Sequence, residues 1–274
     1  MVRTALDGLS DPVLARCSRA SKGTRGGGSV QTVMSIEDAA RELRKVYDRG
    51  ATAFAAFATS EARTRGFADL RCGRGCAACC HQKIMVRAAE GAVIYEWAHA
   101  RGRWTKELEA RCAWADKHLA RMTHPEVADA RVPCVFLRQV ETDGSLRGIC
   151  TVYAARPLGC RAMFSAGAPG ECLSSSSTLG VINVGPNAEF VRAAGGLMRA
   201  IDKAFEAERF AFTLPGAALY AAMRMSGRPS PDVFRVAIDE RAIATTADEV
   251  AHGDEAAQEA AFARMLGEEV KPCG

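Results

Sequence analysis

The sequence predicts a mainly α protein with a small, irregular α+β cysteine-rich metal-binding centre carrying a short two-stranded ribbon. Three observations lead there. Apolar residues recur with helical period on both sides of a central region. Within that region the chain turns to short β-branched and aromatic pieces broken by Gly and Pro. And eight of the eleven cysteines are grouped around it: Cys72, Cys76, Cys79, Cys80, Cys134, Cys150, Cys160 and Cys172.

Residues 1–33 are polar, Gly-rich and aperiodic, and read as a disordered extension. Met34 directly precedes Ser35-Ile36-Glu37-Asp38, a helix start resembling a capping box, so Met34 is expected to be the natural start. From Ser35 a helix is predicted with Ile36, Ala40, Leu43, Tyr47, Phe54 and Phe57 on its apolar face, ending near Gly66. A cysteine loop follows over 71–81, then a strand or extended link at Ile84-Met85-Val86. Helices are expected over 88–101 and from about Trp104 to Met122, the second with Cys112 on its apolar face. PCVFL and GICTVY then read as the two strands of a ribbon turning near Asp143-Gly144. The ribbon would carry Cys134 and Cys150 at matching ends. Arg156-Pro157 turns the chain into Cys160-Arg161, and 165–186 reads as loop. Asn187 can cap a helix with Phe190, Ala194, Leu197, Met198, Ile201 and Phe205 on one face. Further helices are predicted at 215–225, 231–243 and 247–266. The expected division is a disordered segment 1–33, a helical and cysteine-cluster domain 34–186, and a C-terminal helical region 187–270 packing on it.

A composition of 48% hydrophobic and 25% charged residues suits a globular chain with a real core. A net charge of +4, with bases and acids interleaved, argues against a nucleic-acid partner. No window has the apolar length of a membrane span, and the N-terminus lacks the apolar core of a secretory signal. The expected location is therefore the cytoplasm, where stable disulfides are rare. Adjacent Cys79 and Cys80 would also each need a different disulfide partner. Thiolates awaiting a soft or borderline metal explain the cysteines better.

The cysteines read C-x3-C-x2-C-C, then 53 residues, then C-x15-C-x9-C-x11-C. Metal sites commonly combine a tight knuckle with ligands from a distant segment. Four thiolates fill one zinc site or hold one iron–sulfur cluster. Eight exceed both, which leaves two sites, or one site with spare thiols, open. Cys76-x-x-Cys79-Cys80, then Cys134-x-Phe136-Leu137, then Cys150-x-Val152-Tyr153-x-x-Arg156-Pro157-x-x-Cys160-Arg161 resembles the CxxCxxCC cysteine-cluster family. That family is also called YkgJ-like and is described as a zinc- or iron-chelating domain. The resemblance spans about residues 70–175. It implies that Cys72, Cys76, Cys79, Cys80, Cys134, Cys150 and Cys160 are metal ligands. Cys172 joins them by position. Cys72 departs from the family spacing, with three residues before Cys76 where the family name has two. The flagellin lysine methylase is similar in its cysteine cluster, but this chain has no clear S-adenosylmethionine or nucleotide signature.

Around the thiols, His81 is either a ligand or sulfur donor, or a solvent-facing loop residue. Arg156 and Arg161 flank Cys160, where they would offset cluster charge or fix the turn by a salt bridge. Glu90 is a supporting acceptor, an oxygen ligand or a first-turn helix residue. Tyr153 either gates the site or donates a proton, or, as aromatics there more often do, packs over it and excludes water, and Cys112 belongs to the core. Three functions fit. The preferred one is a protein holding an iron–sulfur cluster or iron, with a redox or protein-modification role. That makes it an iron–sulfur oxidoreductase or a part of a protein-modifying system, acting with an unidentified protein partner or substrate. The alternatives are a structural zinc protein acting as an interaction module, and a metal chelator or carrier.

Overall fold

The structure, a computed structural model, describes residues 34–72, 75–140, 148–166, 181–183 and 188–238. The extension 1–33, the turn at Asp143-Gly144, Cys172, Asn187 and the helix expected over 247–266 lie outside the described residues.

Helix α1 (Ile36–Thr64) begins where the capping signal predicts, with Ser35 Oγ accepting the Asp38 backbone N–H at 3.1 Å. Ala40, Leu43, Tyr47 and Phe54 are buried as expected, but Phe57 is 55% exposed. Ten residues at about 100° each carry Phe57 well round the helix from Tyr47. The buried stripe continues through Ala58 and Ala62 instead. Helix α2 (Ala88–His99) is the centre of the molecule, buried on every side from Ala88 to Ala98. Helix α3 (Lys106–Leu119) is capped by Thr105 and buries Cys112 and Ala115. A short α4 (His124–Asp129) follows, closed by a capping box between Thr123 and Glu126.

The β structure is more divided than one ribbon. A ribbon is present as β2 (Leu137–Gln139) and β3 (Gly148–Cys150), antiparallel, with Leu137 opposite Cys150; Cys134, expected at a matching end, lies instead in the turn before β2, where the Leu137 N–H bonds to its carbonyl. After a short helix α5 (Leu158–Ala162), β4 (Met163–Ser165) pairs with β5 (Val181–Asn183), and β5 lies inside the stretch 165–186 expected to be loop. The third piece is a three-stranded antiparallel sheet. In it β6 (Phe210–Thr213) lies between β1 (Met85–Val86) and β7 (Arg235–Ala237). The β7 strand corrects the helix expected over 231–243. Phe234 donates its backbone N–H to Asp116 on α3 at 2.8 Å, and Ala211 of β6 pairs with Val236. Those long-range bonds hold the segment extended.

The C-terminal helices close the core. Helix α6 (Ala188–Ala204) buries Phe190, Ala194, Leu197 and Ile201, with Phe205 just beyond its end. Phe190 stacks on Tyr47 and tilts against Phe54, with ring centroids 5.8 and 5.3 Å apart. Helix α7 (Leu214–Met225) lies against α2 through small residues. A Cβ on Gly91 would overlap the Ala217 carbonyl, so glycine permits this approach. Thr213 caps α7 by accepting the Gly216 N–H at 3.1 Å, and its hydroxyl donates to Asp116.

Candidate metal centre

The centre is assembled from four chain segments by backbone hydrogen bonds. After α1, Gly66 takes φ +84° and the chain turns, with the Phe67 N–H returning to the Ala62 carbonyl at 2.9 Å. The Arg71 N–H reaches the Ser165 carbonyl at 2.7 Å, and Cys72 Sγ accepts the Ser165 N–H at 2.9 Å. This pins Cys72 beside β4. Gly75, at φ +97°, accepts the Gly148 N–H at 3.1 Å, so the loop passes beside β3 with Cys76 exposed. A single 3-10 turn over Ala78–His81 presents Cys79 and Cys80. The Cys134 N–H bonds to the Cys80 carbonyl at 2.7 Å and the Leu137 N–H to the Cys134 carbonyl at 2.9 Å. Cys150 ends β3 opposite Leu137, and Cys160 lies on α5.

These thiols feel one another. Burial pushes Cys134 up to about 12, with Cys150 and Cys79 adding to the shift. Cys160 rises well above the ordinary thiol range, first through burial and then through Cys134, Cys79 and Cys150. Cys79 rises through its hydrogen bond with Cys80 and then through burial. Cys150 rises mainly through burial. Arg156 opposes the shift at Cys79, Cys150 and Cys160. Buried thiols that repel as thiolates stay protonated when alone; a soft cation among them reverses that preference. The donor set is thus chemically suited to a thiolate-bound metal. Among the described residues no three Cys, His, Asp or Glu side chains already form a metal-holding group. The thiols are neighbours rather than a closed coordination shell. None of Cys76, Cys79, Cys80, Cys134, Cys150 and Cys160 is in a disulfide.

Cys112 is fully buried in the core, as expected for an apolar helix face. Burial raises its pKa first, then Cys134, so α3 brings it towards the cluster's edge. That approach had no signal in the local sequence.

The supporting residues differ in what they do. His81 is 2% exposed, which excludes a solvent-facing loop residue. Its Nδ1 lies 3.0 Å from the Ala77 carbonyl; a carbonyl only accepts, so Nδ1 carries the hydrogen. Glu90 stands in the first turn of α2, accepting the Arg87 N–H at 3.1 Å. It also accepts the Leu158 N–H at 2.8 Å and a weaker bond from Tyr47 Oη at 3.4 Å. Glu90 therefore fastens the start of α5, two residues before Cys160, to α2. Burial raises its pKa above the usual carboxylate value.

Arg161 is buried and fully engaged. It donates to Asp48 Oδ1 at 3.0 Å and to the Arg156 and Ala154 carbonyls at 2.8 Å each. Its contacts are those of a residue fixing the turn. Arg156 lies over the half-exposed Tyr153 ring, 3.8 Å from its centroid, and its Nη1 is 3.5 Å from the Cys160 carbonyl. Asp48 and Tyr47, both on α1, are contributors that spacing around the cysteines did not mark.

Fold and thiols together define a metal-binding cysteine-cluster protein, mainly helical. Residues 71–178 match the model of the CxxCxxCC family, described as "Putative zinc- or iron-chelating domain", so that segment is similar to this domain. Nothing among curated proteins or solved structures matched the chain. Among the described residues no helix is long and apolar enough to cross a membrane.

Proposed function

We propose that the thiol centre holds an iron–sulfur cluster, and that the protein works in the cytoplasm in a redox or protein-modification role with a protein partner or substrate. The observation that carries this reading is the convergence of Cys79, Cys80, Cys134, Cys150 and Cys160 from separate segments, close enough that Cys80 raises the pKa of Cys79, and that Cys79 and Cys150 add to the rise at Cys134 and Cys160. Five neighbouring thiols exceed the four that a closed tetrahedral zinc site uses. Cys72, Cys76 and Cys172 supply further sulfur donors in the same domain, and His81 offers Nε2. When bound, such a cluster accepts and releases an electron. The chain's own residues bind it, shield it from water and set its charge. Metal analysis, acid-labile sulfide and a visible spectrum on one anaerobically purified sample test the reading. Iron with sulfide and a broad absorption towards the blue is the expected result. Stoichiometric zinc without colour would overturn it in favour of a structural zinc module.

A further inference from the structure

Two arginines flank Cys160, and their environments are opposite. Every branch of the Arg161 guanidinium is engaged, by Asp48 and by two carbonyls. Arg156 Nε is buried and has no hydrogen-bond partner among the described residues. Its guanidinium is held by the Tyr153 face and only distantly by the Cys160 carbonyl. A buried N–H without an acceptor lowers stability, and it becomes favourable when an anionic acceptor arrives. Arg156 sits in the chain between Cys150 and Cys160, so metal-loaded thiolates are the acceptor at hand.

We propose that Arg156 is a positioning residue that offsets the negative charge of the metal-loaded thiolates, whereas Arg161 only holds the turn. The proposal rests on a metal occupying the thiol centre as set out above, and not on which metal it is. Two features support it: the orphaned Nε, and the stacking on Tyr153 that fixes the guanidinium plane within reach of the Cys160 carbonyl. A delocalised cation over a ring stays charged while losing water, which suits a partly buried cluster.

The test compares R156Q, R156K and R161Q with the wild type as full chains purified anaerobically with their metal. Each is titrated with a chelator, and its metal-free form is melted. R156Q is expected to surrender metal about tenfold more readily, as for a lost opposite charge, with R156K between it and the wild type. R161Q is expected to melt lower without metal, while metal-free R156Q melts with the wild type. If the metal is an iron–sulfur cluster, R156Q should also shift the redox equilibrium about tenfold towards the oxidised form, or about 59 mV lower for one electron. Chelator titrations of R156Q that overlay the wild type would overturn the proposal. So would a metal-free melt as damaged as that of R161Q, because Arg156 would then belong to the framework. Zinc in the purified protein would remove the iron–sulfur reading, and the chelator comparison would still decide the role of Arg156.

Discussion

Cys112 and Cys160 are both raised in pKa mainly by burial, yet they sit in different company. Cys160 is surrounded by Cys134, Cys79 and Cys150, whereas Cys112 is a core residue that, among the described residues, feels the charge of Cys134 alone of the thiols. Cys160→Ser and Cys79→Ser should therefore lose metal and lower the melting temperature, since metal binding contributes to folding. Cys112→Ala should keep full metal content and cost only about 1 kcal/mol, typical of a small core change. Metal-to-protein ratios of the three variants check this; equal metal loss in all three would contradict it. Glu90 gives a pH prediction at the same scale. Its folded pKa lies above the unfolded value, so the native state binds the extra proton. Its contribution is present below the ordinary carboxylate value of 4.5 and is lost as pH rises through the folded pKa. Gln at this position keeps an oxygen for the Leu158 N–H and removes the titration. The stability of metal-free E90Q should therefore gain on the wild type as pH rises from 4 to 7. Parallel melting curves across that window would refute the assignment.

Helix pairs are where small residues matter most. The α2–α7 contact works because Gly91 lets the Ala217 carbonyl approach. Gly91→Ala should lower stability by about 1–3 kcal/mol, the usual cost of overpacking, without changing the metal ligands. A denaturant midpoint equal to the wild type would show that α7 slides freely on α2. Asp116 links three elements, accepting from Thr213 at the start of α7 and from Phe234 before β7. Asp116→Ala should cost about 1–3 kcal/mol, because it leaves a buried donor without a partner. Amide exchange of Phe234 should speed up in the same variant, and unchanged protection there would argue against the link.

At the scale of the whole molecule, the centre is a joint. Cys72 is tied to β4, Cys134 to the 3-10 turn at Cys80, and α5 to α2 through Glu90. Chelation should therefore loosen contacts far beyond the thiols. With free metal at about 100 times its dissociation constant, binding stabilises by about 2.7 kcal/mol. Removing it should lower the melting temperature reversibly, and readdition should restore it. An unchanged melt after complete metal removal would separate the metal from the fold.

Much of this was readable along the chain. The Ser35 cap, the stripe from Ala40 to Phe54, the buried face of α6 and the β2–β3 ribbon follow from local periodicity and capping chemistry, which neighbouring residues determine. The cysteine spacing likewise marked the domain, because metal knuckles are local motifs. Other features depended on segments far apart in sequence. β7 replaced a helix because β6 and Asp116 offer it partners, and β5 arose within an expected loop because β4, just ahead of that loop, offers it a partner. Phe57 left the buried face because the helix's rotation, and not its hydrophobicity, decides which side meets the core. The two arginines beside Cys160 are equivalent as sequence. They differ only once Asp48, from a helix more than a hundred residues earlier, pairs with Arg161, while Arg156 Nε is buried without a partner among the described residues. Local propensity determined the elements and the ligand chemistry; long-range packing and hydrogen bonding decided which charges remain available to it.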